Sequence, residues 1–529
     1  LDTAYYDLQL FVLGSAPLQA TGGPFPWPLE VARFLAPAVT LFAVVEVLRV
    51  LFVQEIRRAL ARQQRNHVVV CGDSALAEAV AARETAAGNQ VVAVGSDTAV
   101  YPGVVSVEGD ARDPRTLIRA RAGRAERLYA VDGDASVNVA VVLGAAGLRP
   151  SHRRAPAIYA SIPDPDLLRA LNARRLGAAQ SRVEFFNAEE LAARQLAAAE
   201  LGQLSRQPAN RLLIGGMTTF GRALVVELGR QWRTRWSAAE RLRITVVDPA
   251  AATAVTALLG QYPFLRDSCE LDPQDSHVDL ATWAGSAEIP ADLARTYICY
   301  ANEERALRAA FTATELWRGP ESVLVRLDTY ALFGIDFHGV GTVFDETTSV
   351  VRPFGVLDVA ADPDLIRSGI IDQIARELHE RYLQIAISGE PASGLFRPTT
   401  DARVPWLDLP EEFRDSLRSY AWDIGRKLRS MGQVVVPVGR QIAPFELSSV
   451  EIEQLARMEH ARWTEEMRER GWRLHEGYDG QRRTHPDLVP WDSLSELSRQ
   501  KSRDNVRWIP EILASLGMQV VRTRDTAIN

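Results

Sequence analysis

Short β-branched runs alternate along this chain with Ala/Leu-rich amphipathic stretches. That alternation constrains the fold more than any other feature, because it packs as βαβ units with parallel strands and helices on both faces. The runs fall at 67–71, 90–94, 104–107, 127–131 and 157–160, with helical stretches at 75–87, 114–120, 135–146 and 165–172. A second series starts at 211–214 and continues at 244–247, 296–300 and 323–327. The order recurs after about 145 residues, which reads as a divergent tandem repeat rather than one large sheet. The predicted fold is α/β, with two Rossmann-like units at 67–206 and 207–385.

The texture changes beyond these units. Residues 386–400 are rich in Gly, Ser, Pro and Thr and read as a linker. Residues 401–529 hold six of the eleven tryptophans and no clear βαβ pattern. Long amphipathic helices are predicted at 411–431 and 449–471, with a helical pair at 492–516, giving a separate, mostly helical domain.

Upstream, residues 34–53 form a 20-residue apolar run in which only Glu46 and Arg49 are charged. At ~1.5 Å per residue it spans ~30 Å, the thickness of a bilayer core. Arg57, Arg58, Arg62 and Arg65 follow directly, a basic flank that marks the cytoplasmic side, and Trp27 stands at the expected outer interface. The expected arrangement is a single transmembrane helix in the cell membrane with residues 67–529 cytoplasmic; a buried helix of a soluble protein is the competing reading. A cleaved signal peptide would carry its positive charge before the apolar run, so that alternative is set aside. Glu46 and Arg49 share one helix face, and charges within a membrane face a partner helix or a wet cavity, which favours an assembly. The chain starts at Leu1 without Met, so an upstream segment is expected.

Composition narrows the function classes. A net charge of −7 and pI near 5.8 argue against nucleic-acid binding, which needs concentrated positive charge. Three scattered cysteines, Cys71, Cys269 and Cys299, make no disulfide framework.

Two turns carry the nucleotide-site signals. In VVVCGDSALA the fingerprint keeps Gly72 alone, with Ser74 and Ala77 in the other two places, and Gly95 stands where a ribose-binding acid belongs. That turn fits a structural unit as well as a ligand site. In LLIGGMTTFGRAL, Gly216 and Gly221 hold the first and third positions, Thr218 the middle one, and Asp248 ends the second strand where an acid would meet ribose. Ligand binding is the favoured reading here, against a turn that kept glycine for packing.

HVVVCG, VEGDARDPRTLIRA and DGDASVNVAVVLGA resemble the nucleotide-binding RCK domains (regulators of potassium conductance), over about residues 67–385 taking both copies. The resemblance implies that Asp110, the acid of the GDAxDP segment, lies beside the bound nucleotide, with NAD(H) or another adenine nucleotide as cofactor. Family members follow an inner pore helix, and the N-terminal layout is similar, yet residues 1–28 carry no TVGYG filter whose backbone carbonyls would select potassium. In the C-terminal domain, LARMEHARWTEEMRERGWRL, RTHPDLVPWDSL and SRDNVRWIPEIL resemble the RyR domain of ryanodine receptors and prokaryotic relatives. That resemblance implies a regulatory, ligand-sensing module.

Within that module, His460 and Trp463 share a helix face, Trp491 follows, and Arg482 and Arg483 add positive charge. Such a set can stack a planar base and hold its phosphates; for Trp463 and Trp472 the core of a small domain is the favoured reading. The histidines lack metal-ligand spacing, so no metal site is expected. A P-loop, a GxSxG elbow and a placed acid or base are missing from the sequence, so no catalytic residues are assigned. The resulting expectation is a non-enzymatic, homo-oligomeric ligand sensor contacting membrane lipid and a nucleotide-like ligand, and regulating an ion pathway. A membrane-tethered scaffold with degenerate sites, or an enzyme acting on a nucleotide derivative, are the alternatives.

Overall fold

The computed structural model describes residues 67–96, 104–148, 156–176, 183–204, 211–235, 241–278, 292–329, 350–388, 404–439 and 445–523, with 27, 31, 35 and 38–47 upstream. The first unit runs β1 (Val68–Cys71), α1 (Ala75–Ala86), β2 (Val91–Gly95), β3 (Val105–Glu108), α2 (Pro114–Arg119), β4 (Arg127–Ala130), α3 (Ala135–Gly147), β5 (Ala157–Ser161), α4 (Pro165–Leu176) and β6 (Val183–Phe186). Its six strands are parallel, in the order β3-β2-β1-β4-β5-β6. Helix starts are set locally: Asp113 accepts the Arg115 amide ahead of Pro114, and Asp134 accepts the Ser136 amide.

Helix α5 (Ala188–Leu204) leads to the second unit: β7 (Arg211–Gly215), α6 (Thr219–Arg235), β8 (Leu242–Asp248), α7 (Ala251–Gln261), α8 (Leu265–Ser268), β9 (Cys269–Asp275), β10 (Leu293–Ile298), α9 (Glu303–Thr312), β11 (Val323–Leu327) and β12 (Val351–Gly355). The order β12-β11-β10-β7-β8-β9 is that of the first sheet, again all parallel, so the tandem repeat is a repeat of topology. Strands β6, β9 and β12 were not among the sequence-predicted runs. All three are sheet edges, where one side needs no partner; β9 and β12 also carry Pro273 and Pro353, which an edge strand tolerates.

The units exchange helices. Ala192, Leu196 and Leu201 of α5 are buried in the second unit's core beside Phe220 and Leu224. In return, α10 (Val356–Ala360) and α11 (Pro363–Arg367) send Ala360 and Ile366 into the first unit's core beside Val68 and Val80. Burying a charge across such a junction requires pairing. Glu200 on α5 is fully buried and meets Arg295, Arg352 and the Tyr297 hydroxyl, the last at 2.9 Å.

The C-terminal domain contains α13 (Glu411–Ser430), β13 (Gln433–Pro437), α14 (Ser449–Glu469), β14 (Arg473–Leu474), β15 (Thr484–His485), α15 (Glu496–Arg507), α16 (Ile509–Ser515) and β16 (Met518–Arg522). A β13–β16 antiparallel pair closes it. It is preceded by α12 (Ile370–Ser388), whose Ile370, Ile371, Ile374 and Leu378 are buried with Tyr420, Ile424 and Trp508 in the C-terminal core. A boundary at 385 therefore falls inside a helix that packs with the third domain; residues 389–400 of the expected linker lie outside the described residues.

Residues 38–47 are helical, and Val39, Leu41, Phe42, Val44, Val45 and Val47 are all exposed. Among the described residues no helix is long and apolar enough to cross a membrane. Apart from Leu35 and 38–47, the 34–53 run lies outside the described residues, as does the Arg57–Arg65 flank. All three cysteines are buried free thiols, and burial pushes Cys71 and Cys269 up to about 12.

Candidate functional site

In the second unit the turn between β7 and α6 is built as a tight approach. Gly216 has φ +96°, and a Cβ there would lie 2.8 Å from the Tyr300 ring at the end of β10. A Cβ on Gly221 would overlap the Gly216 carbonyl, so the third glycine lets α6 pack onto the turn. Thr218 donates its hydroxyl to the Cys299 carbonyl at 2.6 Å and accepts the Gly221 amide at 3.3 Å, acting as a helix cap. Asp248 accepts the Met217 amide at 2.8 Å and the Ala250 amide at 2.9 Å, one on each carboxylate oxygen. Each oxygen keeps a second lone pair, so a ribose hydroxyl can still be accepted. Both glycines are thus demanded by packing, and Asp248 has a structural bond beside any ligand role.

The first unit repeats this wiring with a different charge pattern. Gly72 has φ +134°, and a Cβ would lie 2.6 Å from the Asp132 nitrogen. Ser74 donates to the Val131 carbonyl and accepts the Ala77 amide at 3.2 Å, as Thr218 does in its own unit. The Asp73 carboxylate accepts the Ser96 amide at 2.9 Å and its hydroxyl at 2.5 Å, while Asp132 accepts the Asp73 amide at 3.2 Å. Asp110 is exposed and forks onto Arg112, at 3.0 Å to Nε and 2.8 Å to Nη2; those bonds hold its carboxyl below the usual range. Asp110, Asp132 and Asp134 thus lie around Arg112 at this strand edge, and the Asp73 amide is bonded to Asp132 beside them. Carboxylates crowd the edge that Gly72 and Asp110 line, so a phosphate there would need Arg112 as its counter-charge.

In the C-terminal domain Ser448 and Glu451 form a capping box at the start of α14. The residues singled out there separate. His460 is buried and its Nε2 is 2.8 Å from the Val489 carbonyl, and Trp491 is buried with its indole N–H donating to Glu453 at 3.2 Å. Both belong to the core. Trp463 is half-buried and meets His485 edge-on at 4.9 Å. Two rings from segment 472–485 complete a box around His485: Trp472 stacks on Tyr478 at 5.7 Å, and Tyr478 meets His485 edge-on at 5.7 Å. The buried Trp472 Nε1 has no hydrogen-bond partner among the described residues. Burial keeps the His485 imidazole below its usual value, so it presents a neutral ring at neutral pH.

Arg482 and Arg483 lie on the same loop. The Arg482 side chain is 84% exposed, with Asp479 at 3.7 Å, so it is available to an anion. Arg483 holds φ +52° and donates to the Arg470 carbonyl at 2.8 Å, fixing the loop to the end of α14. The sequence counts Trp472 and His485 among the domain's aromatic faces without assigning them to the site, and passes over Tyr478, whose place between them on one short segment was the available signal. Among the described residues no group of three or more His, Cys, Asp or Glu could hold a metal.

Two copies of a six-stranded, doubly wound parallel sheet define a tandem Rossmann protein, with strand-edge crevices of the kind that take nucleotides. Residues 68–182 match the TrkA-N domain, and residues 445–522 match the RyR domain. The chain thus joins an RCK-type TrkA-N unit, a second unit of the same topology and a RyR domain, as the sequence motifs implied. No curated protein matches the sequence. Among solved structures, GsuK bound to ADP is 13% identical with a TM-score of 0.38, covering 69% of this chain and 87% of that one. The GsuK channel bound to NAD is 11% identical with a TM-score of 0.36, covering 69% and 77%. A dipicolinate synthase chain from Bacillus halodurans is 12% identical with a TM-score of 0.21, covering 62% and 98%. These likenesses are remote.

Proposed function

We propose that the protein is a non-enzymatic, membrane-anchored regulator of ion transport whose Rossmann pair and RyR domain sense nucleotide-type ligands. The observation that carries the sensing role is the aromatic box of Trp463, Trp472, Tyr478 and His485. It offers π-faces, an unpartnered indole N–H and the exposed Arg482 on one loop, the combination that stacks a base and pairs its phosphate. The Gly216–Asp248 turn, with lone pairs left on Asp248, supports a second site for an adenine nucleotide such as NAD(H).

Membrane anchoring is supported by the apolar helical residues 38–47, exposed around the helix, and by the basic residues Arg57–Arg65 that follow. That arrangement would leave the ligand domains in the cytoplasm and membrane lipid around the helix, and the charges Glu46 and Arg49 within the apolar run favour a homo-oligomer. Exchanged helices give such a sensor its coupling: a ligand that favours one packing of the two units over another shifts both together.

One observation favours the rival scaffold reading. Carboxylates already occupy a turn amide in each unit, Asp132 on Asp73 and Asp248 on Met217. Titrating the full chain with adenine nucleotides and dinucleotides by calorimetry decides between them. Heat that is lost on Arg482→Ala or Asp248→Ala supports the sensor; a folded sample giving no heat with any of them supports the scaffold, and turnover of a bound nucleotide would indicate an enzyme.

A further inference from the structure

A cavity of about 810 Å³ lies where the three domains meet. Its volume is that of a small-molecule site, and such sites favour domain junctions. Its lining comes from α4 and α5 of the first unit and from α6 and α7 of the second. Val438, Gly439, Leu516 and Met518 of the C-terminal domain close one end. The cavity is distinct from the aromatic box and reaches the Gly216 turn only through Met217 and Thr219.

Its polar lining is unevenly satisfied. Arg169 pairs with Asp166 at 2.5 Å and lies 3.9 Å from Glu190. Glu227 takes Arg230 at 2.6 Å and Arg194 at 3.6 Å. Arg222, the fourth guanidinium on the wall, donates Nε to the Met217 carbonyl at 3.0 Å and has no carboxylate partner among the described residues. Four guanidiniums thus share the lining with three carboxylates, and Arg230 has Glu377 at 3.7 Å behind it. Asn172 is 5% exposed, lines the same space, and its buried Oδ1 accepts from no donor among the described residues. An unpartnered buried acceptor costs stability unless something donates to it.

We propose that this interdomain cavity binds a small organic anion carrying a hydrogen-bond donor, with the anionic group on Arg222 and the donor on Asn172 Oδ1. A ligand there touches all three domains at once, so its occupancy favours the arrangement in which the walls stand at this separation. The inference is independent of the Gly216 turn and of the aromatic box.

The test uses the full chain and AMP as the probe, which offers a phosphate together with amine and hydroxyl donors. Gly260 of α7 lines the cavity, and a Cβ there would meet no atom within 4 Å, so Gly260→Trp fills the space without displacing backbone. Arg222→Ala removes the anion's partner. Calorimetry is expected to show one AMP site weakened at least tenfold by each change, in variants that melt like the wild type when ligand-free. That site should persist in Asp248→Ala and in Arg482→Ala, which address the other two sites. The proposal is overturned if the wild type has no such site, or if AMP binding survives either Gly260→Trp or Arg222→Ala. Binding lost only in Asp248→Ala or Arg482→Ala would leave the sensor reading standing and remove this one.

Discussion

The carboxylate of Asp248 accepts the backbone N–H of Met217 at 2.8 Å, tying the tip of β8 to the turn that follows β7. The first unit ties the corresponding strands with a carboxylate on the other side. There Asp73, on the turn, accepts the Ser96 amide at 2.9 Å, and Gly95 stands where Asp248 does. The register is the same in both, since Gly72 donates to the Val94 carbonyl at 3.0 Å and Gly216 to the Val247 carbonyl at 2.9 Å. The tie is kept while the acid changes strands, and only the second unit retains an acid where ribose would bind.

Asp248→Ala should therefore act on stability as well as on binding. The Met217 amide loses its acceptor in a half-buried turn, a loss of roughly 1–3 kcal/mol. Asp248→Asn keeps a side-chain oxygen for that amide and should restore much of the stability. Thermal melts of the two variants read the difference, and calorimetry with adenine nucleotides reads the binding.

Gly95 and Asp73 should be coupled. A Cβ on Gly95 would overlap the Asp73 carboxylate, so Gly95→Ala destabilises the first unit in the presence of Asp73 and much less in Asp73→Ala. Contacting pairs show couplings of about 0.5–3 kcal/mol. A double-mutant cycle by denaturant unfolding is expected to give a value in that range; strict additivity would mean that the two do not touch.

The C-terminal domain needs α12. Ile374 is fully buried in that core, and Ile374→Ala is expected to cost about 2–5 kcal/mol. A fragment starting at residue 369 should melt higher than one starting at 401, because the shorter piece exposes the face that Ile370, Ile371 and Leu378 cover. Differential scanning calorimetry of the two fragments checks this.

Tyr478 and Arg482 are suited to probing the aromatic box, because both are exposed and their truncation should shift stability by less than about 0.5 kcal/mol. Tyr478→Ala should weaken a stacked base by roughly 1–3 kcal/mol. Titration of the full-length variants with a nucleotide panel measures it, and affinities equal to wild type would return the box to a packing role.

Acid should weaken the C-terminal domain through Glu459. Burial pushes this carboxyl up, but the Lys427 ammonium and the Arg462 guanidinium outweigh it and hold it at about 2. A group depressed on folding stabilises fully above its unfolded value near 4.5, and that contribution is lost as pH falls through the folded value. Stability should fall by up to about 1.4 kcal/mol per pH unit across that window. Glu459→Gln should remove this slope while lowering stability at neutral pH, since the buried Lys427 is left with Asp423 alone, at 3.4 Å. Circular-dichroism melts over that pH range read both effects.

Much of the architecture was legible because central strands of a parallel sheet are buried on both faces and read as apolar runs; β1, β4, β7 and β10 all did. The edge strands β9 and β12 were not, since CELDPQD and VRPFG are polar or proline-bearing and gain their strand character from one neighbour. Helices α13 and α14 were legible from their periodicity, to within two residues at their ends. Among site residues, Gly216, Thr218, Gly221 and Asp248 do come together around one turn, because their spacing along a βαβ unit is local. His460 and Trp491 fell into the core while Tyr478 joined the box, because which face of a short loop turns inward depends on what packs beneath it.

The sequence by itself determined the tandem α/β plan, the helical third domain and the glycine turns, since periodicity, capping residues and turn chemistry act over a few residues. Only the tertiary structure decided that α5 and α10 exchange sheets, that α12 belongs to the RyR core, that Asp73 and Asp132 fill the first unit's edge, and that a cavity remains between the three domains. Those outcomes depend on which distant surfaces bury one another and which charges are left paired once they do, and no local window of the chain carries that information.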